Sequence, residues 1–557
     1  MSSDSVRQLR RFQVGALPLV HSILRRLRLR EMLEEFIPPS GREAVSAAAT
    51  LELLAVNLTL AKDPLYRLAG WVDSLDLRAL GYRQRPAVRF SDDRFARALD
   101  RLYQADRTSL LTRLAVAAID AFEVQCTTLH NDSTSVKAFG RIAGQTRTGF
   151  QLRRGHSKDH RPDLKQLVYS LSISADGAVP IHHHVYSGNR NDETTHIQTW
   201  NALCQIHESP QFYYVADCKL CTYPQLAYIV EHGGMAITLL PEIFSEVRRF
   251  KAQLRAGPLS KKLLWRRPTP NDESRTESFY RFEGSYRTDR GGYALYWIVS
   301  SAKRRRDQHQ RQESLAAAEA GLAALAPKLN AYHLKRKPDI LRAVEALLKK
   351  HQVQGLLSLR LDTHRPRFRQ RVAGRPGQQA RYRYVQKVGY SLHWSRDAQA
   401  LRREARTDGV FPLLSTDPSL PPRRVLQAWK FQPRLEKRFC QFKSVHQAAP
   451  LLFKKVQRVE ANMFVFFIAL LLQALIERLL RQRLAQRKAA PLKLYPEDRD
   501  ALHPTTSQLI KTFGDLSTYV LTAVDQSTEE YHDPLNPTHR AVLSLFDLSE
   551  GQFWYQS

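Results

Sequence analysis

The sequence predicts an α/β protein in which a mixed sheet flanked by helices is interrupted by an α+β insertion and preceded by a helical domain. Apolar residues recur at helical spacing over the first part of the chain. β-prone runs then alternate with amphipathic helices, and this alternation stops after Pro241. We therefore expect five regions, with bounds 1–122, 123–241, 242–407, 408–485 and 486–557.

Residues 1–122 are predicted to form a compact module of several helices. The segment VGALPLVHSILRRLRLREMLEEFI has apolar residues at helical spacing and stops before Pro38 and Pro39. The segment SDDRFARALDRLYQ starts with Ser91, a favourable N-cap, and has acidic residues in the first turn, where the helix dipole stabilises them. A role in ligand contact and a role in assembly are both open for this module.

The region 123–241 is predicted to contain the mixed sheet. A strand in VQCTTLHND precedes a hairpin with an Asp-Gly turn at 176–177, and QFYYVADCKL and MAITLLP supply two further strands between helices. This order places Asp132 and Asp217 at strand ends. His182–His184 follow one another on a strand and so alternate between its faces, which favours packing over metal ligation.

The region 242–407 is predicted to be the insertion. The run Arg304, Arg305 and Arg306 and the Arg-aromatic stretch RLDTHRPRFRQRVAGRPGQQARYRYVQK suit contacts with phosphates and bases, and a solvated face is the alternative.

The segment DGVFPLLST is expected to return as a last core strand. The apolar run Met463–Leu480 contains Gln473, Glu477 and Arg478, which favours a buried core helix over a membrane span. Residues 486–557 are expected to form a basic tail, its last part with little helical periodicity.

The charge of the chain indicates a polyanionic partner. There are 85 Lys and Arg residues against 54 Asp and Glu residues, a formal net charge of +31. Cations that neutralise phosphates release condensed counterions, so we favour a nucleic acid over the alternatives of a generally basic protein or one attracted to anionic lipid. Five scattered cysteines suit a reducing compartment, and no secretory signal is visible. We expect a cytoplasmic, nucleoid-associated protein that binds no membrane.

Three acidic residues are candidates for a metal site. Asp132 and Asp217 follow predicted strands, while Glu436 lies on a predicted helix with Phe439 and Cys440 and is expected to point inward. Carboxylates bind hard divalent cations, and two such ions assist phosphodiester cleavage. Lys443, seven residues after Glu436, would reach a phosphate on the same face. Any one of these residues taken alone is as consistent with a cap or a solvated ion pair.

Four stretches together resemble the DDE transposases of insertion sequences, in the branch with a helical N-terminal domain before an RNase H-like core. They are HNDSTSVKAFG, GHSKDHRPDLKQLVYSLSISADGAVPIHHHVYSGNRNDETT, YVADCKLCTYPQL and FQPRLEKRFCQFKS. The family's last signature places Tyr, Arg, Glu and Lys at fixed spacing. Here Glu436 and Lys443 keep that spacing, whereas Trp429 stands in place of the Tyr and Gln432 in place of the Arg.

The resemblance implies a Mg²⁺- or Mn²⁺-dependent enzyme of DNA recombination. Asp132, Asp217 and Glu436 would hold two ions, Lys443 would act beside them, and Trp429 and Gln432 would contact DNA. The enzyme would bind the terminal inverted repeats of double-stranded DNA as a homodimer and carry out transposition through endonuclease cleavage and strand transfer to target DNA. The alternatives are a metal-dependent nuclease and a catalytically inactive DNA-binding derivative of the same core.

Overall fold

The computed structural model describes residues 6–555, apart from 42, 140–141, 143–145, 147–148, 156–162, 191–194, 270–271, 373–381, 446–452, 488–489, 496, 498, 502 and 524–525. The chain forms two compact units. One unit joins Met1–Thr238 to Val425–Ser557, and the other is Leu239–Arg424. Because compactness divides the chain in two, the division into five regions stays a prediction.

The N-terminal part of the first unit consists of one strand and a group of helices: β1 (Val6–Gln13), α1 (Leu17–Leu27), α2 (Leu29–Phe36), α3 (Ala47–Leu60), α4 (Leu68–Ser74), α5 (Asp92–Gln104) and α6 (Arg107–Phe122). The helical prediction is confirmed from Leu17 onward. It was wrong for β1, which pairs antiparallel with a strand near the C-terminus. The partner of β1 is distant in sequence, so local periodicity could not indicate it.

The first unit contains a five-stranded part of a mixed sheet. Its elements are β2 (Thr128–Ala138), β3 (Lys165–Ser174), β4 (Pro180–Ser187), α7 (His196–His207), β5 (Tyr213–Val215), α8 (Tyr223–Glu231) and β6 (Met235–Leu239). The strand order is β4-β3-β2-β5-β6. The first three strands form an antiparallel meander, while β2, β5 and β6 run parallel. The helices α7 and α8 connect the parallel strands, which confirms the predicted mixed sheet.

The second unit is α+β. It contains α9 (Ser245–Ala256), β7 (Lys261–Thr269), β8 (Asp272–Phe282), β9 (Tyr286–Arg287), β10 (Ala294–Ser300), α10 (Ser301–Leu325), α11 (Lys337–Lys350), β11 (Leu357–His364), β12 (Arg367–Arg371), β13 (Tyr382–Gln386), β14 (Gly389–Arg396), α12 (Ala398–Glu404) and β15 (Val410–Ser415). The strand predicted after Asp408 is present as β15, which pairs antiparallel with β10. A separate core joins α10 and α11 to β11 and β14.

The C-terminal part of the first unit contains α13 (Pro422–Trp429), which begins in the second unit, α14 (Pro433–Cys440), α15 (Val456–Gln486), β16 (Leu492–Lys493), β17 (Asp500–Ala501), α16 (Thr506–Phe513), β18 (Ser517–Ala523), β19 (Thr528–His532), α17 (Pro537–Leu545) and α18 (Glu550–Phe553). The helix α15 is long and apolar enough to cross a membrane, but its most apolar window is entirely buried in the protein. Every residue from Ala461 to Leu480 is buried, which confirms the predicted core helix.

The region expected to be a basic tail, with little helical periodicity in its last part, contains strands and short helices. The strand β18 lies between β1 and β19 in a three-stranded sheet. The helices α17 and α18 begin at capping boxes formed by Asn536 with His539 and by Ser549 with Gln552. Helices this short are specified by their caps more than by periodicity, so the sequence pattern missed them.

Candidate active site

Asp132 and Asp217 occupy equivalent positions relative to the neighbouring parallel strands β2 and β5. The register pairs His130 with Val215, and each aspartate lies two residues further along the chain, which places Asp132 within β2 and Asp217 two residues after the end of β5. Asp132 lies in the middle of β2, not at a strand end as predicted, because β2 continues to Ala138 along its other neighbour β3. Neighbouring strands are about 4.8 Å apart, so from this register we expect the two aspartates to lie next to each other.

Local hydrogen bonds hold the backbone at both aspartates. The Oδ1 atom of Asp132 accepts a hydrogen bond from the amide of Ser133 at 2.7 Å. Asp217 caps a short 3₁₀ turn by accepting from the amide of Lys219 at 3.0 Å. The hydroxyl of Thr238 on β6 donates to the carbonyl of Asp217 at 2.7 Å, which fixes the chain after β5. The Asp217 side chain is 40% exposed, so its carboxylate is accessible to a ligand from solvent.

Tyr214 and His196 form a buried pair beside these carboxylates. The Tyr214 hydroxyl and Nδ1 of His196 are 3.1 Å apart, and Nε2 of His196 is 3.9 Å from Oδ1 of Asp217. Burial raises the pKa of Tyr214 well above its ordinary value, and the charges of Tyr186, Asp217 and Asp132 raise it further. Both carboxylates therefore contribute to the electrostatic environment of the Tyr214 phenol. The sequence patterns indicated neither Tyr214 nor His196.

Hydrogen bonds and a ring contact hold the start of α14 against β2 close to Asp132. Gln432, the residue before the helix, is buried, and its Oε1 lies 3.0 Å from Nδ1 of His130. Its Nε2 donates to the carbonyl of Asn131 at 3.1 Å. The ring of Phe431 packs on that of His130 with 4.9 Å between centroids. Gln432 was expected to contact DNA, but its amide group instead joins α14 to β2 inside the first unit.

The inward orientation predicted for Glu436 was wrong. Glu436 and Cys440 are exposed, whereas the buried stripe of this segment consists of Leu435, Arg438, Phe439 and Phe442. These four residues follow i, i+3, i+4 and i+7, so they define the face that packs, and Glu436 lies outside it. The carboxylate of Glu436 therefore lies on the solvent side of a helix whose first turn contacts β2.

The other residues predicted to contact DNA lie at the end of α13, after α14 and on α10. Trp429 and Lys443 are half-buried, and Lys443 lies in a π-helical turn, Gln441–Val445, that follows α14. The π-helical turn interrupts the α-helical register on which the common face of Glu436 and Lys443 was based. Arg304–Arg306 are exposed near the start of α10 in the second unit. Cations near a helix N-terminus are unfavourable for the dipole, so helix stability does not explain them.

His182 and His183 on β4 are buried, in agreement with the packing role that the sequence favoured. The ring of His183 lies between Tyr169 and Phe467, with centroid distances of 5.4 and 4.8 Å. Burial lowers the pKa of both imidazoles, to about 3 for His182 and well below the ordinary value for His183. Both are therefore neutral at physiological pH.

The register of β2 and β5 relates the positions of two of the three predicted ligands, Asp132 and Asp217. Within the described residues, no group of three His, Cys, Asp or Glu side chains is arranged to hold a metal ion. Asp132 and Asp217 provide the hard oxygen donors that Mg²⁺ and Mn²⁺ prefer. Glu436 lies one helical turn after Gln432, which contacts β2 at the two residues before Asp132.

Comparison with known protein families matches a family model to only a small part of the chain. Residues 10–116 match a family model described as a domain of unknown function, DUF4277. No curated protein matches. Among solved structures, the piggyBac transposase in its synaptic complex with hairpin DNA, determined by cryo-electron microscopy, matches with 8% identity and a TM-score of 0.36. That match covers 91% of this chain and 82% of the other.

Proposed function

We propose that the protein is the DNA transposase of an insertion sequence, and that Asp132 and Asp217 belong to its metal-dependent site of strand cleavage. The observation that carries this proposal is the position of the two aspartates, each two residues beyond the last residue pair that joins the parallel strands β2 and β5 of a mixed sheet. The antiparallel meander followed by two parallel strands agrees with the RNase H-like core that the sequence motifs imply.

We propose Glu436 as the third ligand. The contact of Gln432 with His130 and Asn131 fastens α14 to the strand that carries Asp132. Because Glu436 is exposed and one turn further along, it can approach a cation held by the aspartates through a rotamer change or a small movement of α14. The three carboxylates would hold two Mg²⁺ or Mn²⁺ ions, which when bound stabilise the attacking and leaving oxygens of a phosphodiester.

The remaining parts of the proposal concern DNA. The net charge of +31 favours binding to a long polyanion such as a transposon end and its target. We propose that Lys443 contacts a phosphate near the carboxylates, that cleavage frees a 3′-hydroxyl for strand transfer, and that two copies of the chain pair the two ends. Among the residues expected to contact DNA, Gln432 has no such role in this proposal, because it is buried in the contact with β2.

Replacing either aspartate tests the proposal. Asp132→Asn and Asp217→Asn should each reduce Mg²⁺-dependent cleavage of DNA carrying the element's ends at least about 100-fold, since even the partners of metal ligands contribute 10- to 100-fold. Binding of the same DNA should stay within about 2-fold, because the electrostatic contacts that dominate affinity are retained. Cleavage is measured on a supercoiled plasmid and binding by fluorescence anisotropy in EDTA.

Asp120→Asn is the matched control, because Asp120 is exposed on α6 and the same charge is lost. Wild-type cleavage rates in Asp132→Asn or Asp217→Asn would refute the site. If the wild-type protein cuts the ends but never joins them to target DNA, a nuclease is the correct assignment. Binding without metal-dependent cutting in the wild-type protein would indicate the inactive derivative.

A further inference from the structure

A long two-stranded ribbon extends from the core of the second unit. The strands β11 and β14 pair from Leu357 with Arg396 to His364 with Gly389. The strands β12 and β13 continue the pairing from Arg367 with Gln386 to Arg371 with Tyr382. The amide of Lys387 donates to the carbonyl of Pro366 at 3.3 Å, so the ladder continues across the junction. We call β12 and β13 the distal ribbon.

The two halves of this ribbon differ in packing. In the half nearer the core, Leu357 and Leu392 are buried against α10 and α11. In the distal ribbon every residue is exposed except Val385, which is half-buried. A two-stranded hairpin that packs on nothing is at best marginally stable in water, and five residue pairs bury little apolar area. The distal ribbon therefore has two open faces that a partner can cover.

One face of the distal ribbon is cationic and aromatic. Residues opposite each other in an antiparallel pair share a face, so Arg367, Arg369 and Arg371 lie on the same side as Tyr382 and Tyr384. The guanidinium of Arg369 lies over the Tyr382 ring, 4.0 Å from its centroid, and Tyr384 is 74% exposed. The arginines alternate along one strand at a spacing of about 6.8 Å.

The opposite face of the distal ribbon is different. It carries Phe368, Gln370, Arg383 and Val385, and the guanidinium of Arg383 lies 3.4 Å from Oε1 of Gln370. The face with Arg367, Arg369 and Arg371 therefore presents more cations to a partner than the opposite face, which has only Arg383. No acidic residue occurs in the sequence between Asp362 and Asp397, although this stretch contains eight arginines and one lysine. A cationic stretch with no acidic residue of its own favours a polyanion.

We propose that the distal ribbon is a DNA-binding element that enters the major groove of duplex DNA with its Arg367, Arg369, Arg371 and Tyr384 face. The major groove is about 12 Å wide and admits a two-stranded β-ribbon. Arginine side chains on its surface reach phosphates on the groove wall or guanine edges on its floor, and a tyrosine hydroxyl donates to phosphate. That the polyanion is DNA rests on the proposed function, whereas the binding site itself is inferred from the geometry of the distal ribbon.

The salt dependence of binding tests this proposal in the full chain. In Arg367→Gln/Arg369→Gln/Arg371→Gln, three fewer phosphates are neutralised, so the slope of log K against log salt should become shallower by about 2.7. Affinity near 0.1 M salt should fall on the order of 100-fold. The assay is anisotropy of a labelled 40-base-pair duplex in EDTA, where no cleavage occurs.

Lys337→Gln/Lys349→Gln/Lys350→Gln is the matched control. It removes three exposed cations from α11 in the same unit, and it should leave the slope almost unchanged. Circular dichroism should show the wild-type spectrum for both variants, because all six side chains are exposed. Equal slopes for the arginine variant and the control would overturn the proposal.

A second variant distinguishes insertion from diffuse attraction. Tyr384→Ala removes no charge, so it should leave the salt slope unchanged while affinity falls about 10-fold from the lost contact. Full affinity in Tyr384→Ala would refute insertion into a groove. If the arginine variant loses binding to single-stranded RNA or to phosphatidylglycerol vesicles but not to duplex DNA, the partner class is wrong.

These outcomes are separable from the test of the proposed function. Asp132→Asn should bind duplex DNA like the wild type and fail to cut it, whereas the arginine variant of the distal ribbon should fail to bind. If Asp132→Asn cuts normally, the proposed site falls while the binding result for the ribbon is unaffected.

Discussion

At the scale of single residues, Gln432 shows how a departure from a family pattern can have a structural cause. The motifs place an arginine at this position, and a phosphate contact was expected for it. The side chain is only 9% exposed, and both of its amide atoms contact β2. Glutamine can donate and accept at once, whereas arginine only donates, so the pairing with His130 and the Asn131 carbonyl suits glutamine.

Restoring the family's arginine should therefore destabilise the protein. Gln432→Arg buries a cation beside a neutral imidazole and lowers the free energy of unfolding by about 3 kcal/mol, as expected for an unpaired buried charge. It should not strengthen DNA binding. Urea unfolding and duplex anisotropy measure the two effects. Gln84→Arg adds the same charge at an exposed position and should change stability by less than about 0.5 kcal/mol. Tighter DNA binding by Gln432→Arg alone would restore a phosphate role for position 432.

The sequence predicted the strands that precede or contain the two candidate aspartates better than it predicted the orientation of Glu436. The β-prone runs before Asp132 and Asp217 indicated two strands, and both strands formed. The orientation of Glu436 was wrong because Phe439 was taken as the marker of its face, whereas Leu435, Arg438 and Phe442 complete the buried stripe. A buried arginine within that stripe has no signature in a hydrophobic pattern, so periodicity alone placed the face incorrectly.

At the scale of elements, Arg438 fixes α14 against the β3–β4 turn and α15. Its Nη1 is 3.0 Å from Oε2 of Glu477, and both side chains are less than 5% exposed. Its Nε and Nη2 donate to the carbonyls of Ala178 and Gly177 at 3.0 and 3.2 Å. The positive φ of Gly177, +80°, and the close approach of Arg478 leave no room there for a side chain. Three elements therefore meet at one ion pair.

Removing Arg438 should cost much more stability than removing its exposed neighbour. Arg438→Ala leaves Glu477 buried without its main counter-charge, so the free energy of unfolding should decrease by about 3–5 kcal/mol in urea titrations. Lys437→Ala, on the exposed side of the same helix, should cost less than about 0.5 kcal/mol. The double variant Arg438→Met/Glu477→Leu should recover part of the loss, because it removes both charges. Equal effects of Arg438→Ala and Lys437→Ala would show that the ion pair does not anchor α14.

At the scale of the whole molecule, local patterns predicted elements and could not predict their distant partners. The mixed sheet, the helical N-terminal part and the core helix α15 follow from periodicities within single segments. The pairing of β1 with β18 joins residues about 500 positions apart, and no local pattern encodes such a contact. The same limit applies to the candidate ligands, because the relation of Asp132 to Asp217 depends on strand order and the position of Glu436 depends on the docking of α14.

Buried neutral histidines should make the whole protein sensitive to acid. Burial lowers the pKa of His21, His130 and His184 to about 4 and that of His182 to about 3. Nearby arginines at His21 and His184, and a neighbouring histidine at His182, lower the pKa further. In the unfolded chain these groups titrate near 6.5. Between the two pKa values the unfolded chain binds more protons, so stability is complete above about pH 6.5 and is lost as the pH falls below it.

His183→Phe isolates one of these contributions. A histidine that titrates only when unfolded costs about 1.4 kcal/mol per pH unit, or about 2 kcal/mol between pH 6.5 and pH 5. Phenylalanine keeps the aromatic stack between Tyr169 and Phe467 but binds no proton. Between pH 7 and pH 5 the free energy of unfolding should therefore fall by about 2 kcal/mol less in the variant than in the wild type. Urea unfolding at the two pH values measures this difference. His309→Phe, where the histidine is 76% exposed, should retain the wild-type pH dependence. If the two variants show the same dependence, His183 binds its proton equally in the folded and unfolded protein, and its burial does not cause the acid sensitivity.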